Sequence, residues 1–137
     1  MWELQTTDEY ERSLKWYAKK RPRELRAVLD NLDTYLQALR AGAKPQHKAF
    51  GFQHAEQQGV WAIDQKGGGP SLAQTRLYVY PDSTAETLYL IALGDKGSQQ
   101  ENIKTCNRFV TELLKRELPS DESAKEEPEQ AGGEPLP

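Results

Sequence analysis

Apolar and polar positions change period three times along the chain. Trp2–Thr6 alternates, as a short half-buried strand does. Thr6 or Asp8 can cap a following helix, with Glu9 or Glu11 three positions on as in a capping box. Tyr10, Leu14 and Tyr17 then fall at i, i+4, i+7 on one helical face, and Pro22 ends this helix or begins the next. Leu25, Val28, Leu29, Leu32, Leu36 and Leu39 form a continuous apolar stripe, stopped by Gly42 and Pro45. So short a link predicts an antiparallel helical hairpin. Beyond it the period becomes two. Gly59–Asp64 reads as a strand, 66–70 as a loop, Thr75–Tyr80 as an alternating strand and Thr87–Leu93 as an apolar strand covered on both faces. Ile103, Cys106, Val110 and Leu114 return to helical spacing. The expected order is β-α-α-β-β-β-α. This is an α+β fold: an N-terminal strand, a helical hairpin packed on a small, mostly antiparallel sheet, and a C-terminal helix.

Composition narrows the class. The longest apolar run, Leu88–Leu93, is far too short to span a bilayer, and 137 residues make one ordinary domain. The opening residues carry no basic segment followed by an apolar one, so the expected location is the cytoplasm. The single Cys106 excludes an intramolecular disulfide and a Cys-rich metal site. The net charge of −3 hides a split. Residues 117–137 hold seven acids and one base, net −6; residues 1–116 hold 17 bases and 14 acids, net +3. The expected organisation is a folded domain over 1–116 and a disordered acidic tail over 117–137. The tail reads either as a solubilising segment or as a polyanion mimic that competes for the basic body.

Several chemistries lack their motif. No GxxxxGK[ST], GxSxG or HExxH is present, and His54-Ala-Glu56 has no second His at helical spacing. No metal ligand set or cofactor is expected. Cations and aromatics remain. Arg12, Lys15, Lys19, Lys20, Arg21, Arg23 and Arg26 crowd the first helix and the turn after it, a solvated helix face or a footprint for nucleic acid. If Leu77 and Val79 lie under the hairpin, Arg76, Tyr78 and Tyr80 share the opposite face, near Lys96 at the end of the next strand. That is the composition of a phosphate-and-base platform, or of an ordinary sheet face covered by the last helix.

WELQTTDEYERSLKWY, the leucine-striped helix, GVWAID, TRLYVYP and LYLIALGDKGS, in this order over residues 1–115, resemble the RelE/ParE toxin superfamily, its HigB-like phage-derived branch in particular. The resemblance implies a type II toxin–antitoxin toxin that cleaves ribosome-bound mRNA without metal or small-molecule cofactor, through attack of a 2′-hydroxyl on the adjacent phosphate. Its implied partners are a cognate antitoxin protein and the mRNA on the ribosome, with no membrane. By position, Arg76 is implied as a phosphate clamp and Lys96 as an acid or transition-state cation. Tyr78 or Tyr80 is implied as a base-stacking ring. His54 is the proton-transfer candidate by chemistry, and His47 and Lys48 are substrate-contact candidates. The chain departs from the pattern at Asp64, an acid where the branch has an Arg, and at Lys96-Gly97, where it has two Lys. The ParE branch poisons DNA gyrase. The alternative expectation is therefore a non-catalytic binding protein, a gyrase poison or a degenerate toxin relative acting through a protein partner.

Overall fold

A computed structural model describes residues 1–69 and 71–117; most of the acidic tail, 118–137, lies outside the described residues. The order is β1 (Glu3–Thr6), α1 (Asp8–Lys20), α2 (Pro22–Arg40), β2 (Gln53–Ala55), β3 (Trp61–Asp64), β4 (Thr75–Asp82), β5 (Thr87–Asp95) and α3 (Gln99–Glu117). The fold is mixed α+β: three helices and a five-stranded sheet ordered β1-β5-β4-β3-β2, antiparallel except for the β1–β5 pair. The chain divides into two units after Asn107. All that follows concerns the first.

Local chemistry sets the hairpin. The cap of α1 is Thr7, between the two expected candidates: its hydroxyl oxygen accepts from Tyr10 N at 3.1 Å and donates to Ile91 O at 2.6 Å. The helix start is thereby pinned to β5. Asp8, Glu9 and Glu11 stand in the first turn and Lys19 and Lys20 in the last, both favourable to the helix dipole. Pro22 opens α2 at the position where its missing N–H costs nothing.

The predicted stripe becomes the core. Leu25, Val28, Leu32, Leu36 and Leu39 pack with Trp61, Ile63, Leu77, Val79, Leu88, Leu90 and Leu93 from the sheet. Tyr35, which the stripe omitted, is buried with them, its hydroxyl donating to Pro45 O. Arg40 closes the far end, giving Nε and Nη2 to Trp2 O at 3.0 and 2.9 Å.

One strand was missing from the expected order. β2 is a three-residue edge strand paired with β3, His54 opposite Ala62. Between them Gln58 (φ 58°) and Gly59 (φ 82°) turn the chain through left-handed conformations. Gln53 anchors the approach: its Oε1 accepts from Ala49 N and Phe50 N while the side chain lies fully buried.

Candidate functional site

The sheet has two faces, and the register assigns them. Ile63, Leu77 and Leu93 form one cross-strand row under the hairpin. The next residue of each strand faces away, because side chains alternate. The opposite face therefore carries His54, Ala62, Tyr78 and Ala92 in one row, and Asp64, Arg76 and Gly94 in the next. The expectation for Arg76, Tyr78 and Tyr80 holds at the level of facing.

The cations on this face are held by acids. His54 Nε2 lies 2.6 Å from Asp64 Oδ2, with the histidine side chain about one-third exposed. Asp64 is itself fixed, Oδ1 accepting from Lys66 N at 2.7 Å. Asn31 of α2 ties this corner to the helix, donating to Asp64 O and Lys66 O. Arg76, the direct cross-strand neighbour of Asp64, places Nη1 3.8 Å from Glu56 Oε2. Both members of that pair are largely covered, and Arg76 Nε is buried without a hydrogen-bond partner among the described residues. A carboxylate oxygen only accepts, so the ring nitrogen facing Asp64 carries a proton; in the neutral ring Nδ1 is then the acceptor. Histidine, carboxylate and guanidinium thus converge at one end of the sheet.

Tyr78 does not join them as an open ring. It is 1% exposed, and burial pushes its phenol up to about 12, with the Glu56 charge adding to the rise. Its hydroxyl is buried without a partner among the described residues. Cys106, on the part of α3 within this unit, is a further neighbour, its own thiol pushed up to about 12 chiefly by burial. Asn107 donates to Gln57 Oε1 at 2.7 Å, tying α3 to the β2–β3 turn. The expected open platform is corrected here: a base cannot stack on Tyr78 beneath this cover. Tyr80, one alternation further along β4, is only partly buried.

The remaining candidates make no hydrogen bond or ion pair with that corner among the described residues. Lys96 is exposed in a short 3-10 turn after β5, with no side-chain ion pair or hydrogen bond among the described residues. That turn is fixed by a reciprocal cap between Asp95 and Ser98, and it abuts Gly94, where an added Cβ would strike Ser98 and Asn102. His47 and Lys48 are exposed in the 41–52 connection and make no hydrogen bond or ion pair with the His54–Asp64 corner. Among the described residues no group of three or more His, Cys, Asp or Glu side chains is arranged to hold a metal ion.

Two residues escaped the sequence reading. In the sequence Asp64 is only an acid out of place, and Glu56 only part of a failed metal motif. The available signal was the Gln58-Gly59 turn. A tight turn there sets residues 52 and 64 opposite each other, with His54 on the same face as both. Asp64 N indeed donates to Phe52 O. No helix among the described residues is long and apolar enough to cross a membrane. Comparison with known protein families, curated proteins and solved structures gave no match to this chain.

Proposed function

We propose that the protein is a RelE/ParE-type toxin of a type II toxin–antitoxin module, a metal-independent endoribonuclease acting on ribosome-bound mRNA in the cytoplasm. The observation that carries this reading is the 2.6 Å His54–Asp64 contact on the strand directly beside Arg76. RNA cleavage by its own 2′-hydroxyl needs a base for that hydroxyl, a cation for the charge gathering on phosphorus, and an acid for the departing 5′-oxygen. Asp64 orients the His54 ring and leaves Nδ1 to take the 2′-hydroxyl proton. The 2′-oxygen then bonds to phosphorus as the P–O5′ bond breaks, giving a 2′,3′-cyclic phosphate. Arg76 offsets the phosphorane charge, and the Lys96 ammonium protonates the 5′-oxygen. A cognate antitoxin would silence this surface by covering Arg76 and Lys96.

Expression in bacteria should arrest growth, and Arg76→Ala or Lys96→Ala should relieve the arrest. Harmless expression with ribosome-loaded mRNA left intact contradicts the enzymatic reading. A second reading, a non-catalytic binding protein such as a gyrase poison, is favoured by the acids Glu56 and Asp64, which offset Arg76 and any charge on His54. Loss of gyrase supercoiling with mRNA intact selects it.

A further inference from the structure

Asp64 is held at each of its polar groups. Its N–H donates to Phe52 O, Oδ2 meets His54 Nε2 at 2.6 Å, and Oδ1 accepts from Lys66 N at 2.7 Å. Its carbonyl accepts from Asn31 at 2.9 Å, a bond that comes from another layer of the fold. Asn31 stands at the middle of α2, between the buried Val28 and Leu32. Asparagine is a poor helix former there, because its short amide competes with the backbone. This amide serves the end of β3 instead: Nδ2 donates to Asp64 O and, at 3.0 Å, to Lys66 O. Both partners are carbonyl oxygens, which only accept, so the NH₂ end of the side chain faces them and gives one proton to each.

We propose that Asn31 is a positioning residue: from α2 it fixes the Asp64 carboxylate and, through it, the side of the His54 ring that carries the proton. The two carbonyls it bridges are those of the first and last residues of the turn Asp64-Gln65-Lys66. Fixing both sets where Lys66 N stands relative to Asp64. Lys66 N holds Oδ1, the carboxylate is kept from rotating, and Oδ2 stays against Nε2. The ring proton is thereby kept on Nε2 and Nδ1 is left to accept. The task suits an amide. A carboxylate at position 31 would set oxygens against two carbonyls, a hydroxyl has one proton to give, and an apolar side chain leaves both carbonyls without this donor. Control of the ring by Asn31 needs no substrate; its effect on cleavage rests on the nuclease reading.

The test is nuclear magnetic resonance of the full chain with ¹⁵N-labelled histidine, recorded where the rings are neutral. His47, exposed and without a side-chain hydrogen bond among the described residues, is the internal reference. The unaltered chain should show a downfield proton on His54 Nε2 that exchanges slowly with water. In Asn31→Ala that proton should exchange about 10-fold faster, and the ring should relax toward the tautomer mixture of His47. Asn31→Gln, which keeps the two-proton donor, should restore part of the protection. An unchanged His54 signal in a folded Asn31→Ala protein overturns the proposal. Two measurements on the unaltered chain do so without any variant: a His54 proton on Nδ1, or no hydrogen-bond coupling from Asn31 Nδ2 to the Asp64 and Lys66 carbonyls. With mRNA on ribosomes, Asn31→Ala should lower kcat about 10-fold and leave KM within about two-fold. A shifted His54 signal with mRNA left intact by the unaltered chain removes the nuclease and leaves the positioning role. Cleavage by Asn31→Ala at the full rate, with the His54 signal unchanged, removes the positioning role and leaves the nuclease.

Discussion

At the scale of single residues, the His54–Asp64 contact decides what the site can do. A carboxylate fixes one tautomer of the ring; an amide does not. Asp64→Asn can turn its NH₂ toward Nε2, which drives the ring proton to Nδ1 and removes the base. If proton transfer at His54 drives cleavage, Asp64→Asn should lower the cleavage rate by about 10²–10⁴-fold. Its circular dichroism should stay unchanged. A loss below two-fold would show that Asp64 is only a structural partner of His54. This pair was half legible in the sequence. The imidazole announced itself by its chemistry. Its carboxylate stands ten residues away across a turn, and was brought near only by pairing of β2 with β3. Glu56 was hidden for the same reason. An ion pair between loop and strand has no spacing rule, so only the register reveals it.

At the scale of elements, what the sequence made plain was periodicity sustained over many residues. The α2 stripe and the apolar β5 repeat their pattern long enough to be read, and they form the core. β2 has three residues, too few to show a period, and an edge strand takes its identity from its neighbour rather than from its own pattern. The facing of Arg76, Tyr78 and Tyr80 followed from alternation alone. Which of them stays open did not, because the burial of Tyr78 is a tertiary fact. Thr7 shows how elements are tied together. Its hydroxyl caps α1 and also donates to Ile91 O of β5. Thr7→Ala removes both bonds, and chemical denaturation should show a loss of about 1–2 kcal/mol. Thr7→Ser, which keeps the hydroxyl, should recover most of it. An unchanged midpoint for Thr7→Ala would mean that the α1–β5 junction is held by packing alone.

At the scale of the whole molecule, the buried tyrosines set the alkaline limit of the fold. Burial is the largest cause holding Tyr10, Tyr17 and Tyr78 up at about 12, and it raises Tyr35 further still. An unfolded tyrosine ionises near 10. The folded state therefore keeps protons that the unfolded state releases, and this stability is complete below pH 10 and lost as pH rises toward 12. The denaturation midpoint should fall steeply between pH 10 and 12; a flat midpoint across that interval would contradict the burial of these phenols. Function rests on a different whole-molecule property, a face where an acid-oriented histidine on β2 and a guanidinium on β4 flank the strand that carries Asp64. Its most direct test is the chemistry of the product ends. Purified full-length protein is added to translating ribosomes with labelled mRNA, and the new termini are analysed. The account predicts 2′,3′-cyclic phosphate and 5′-hydroxyl ends that disappear with His54→Gln. Intact mRNA, 5′-phosphate ends, or cleavage undiminished in His54→Gln would contradict it.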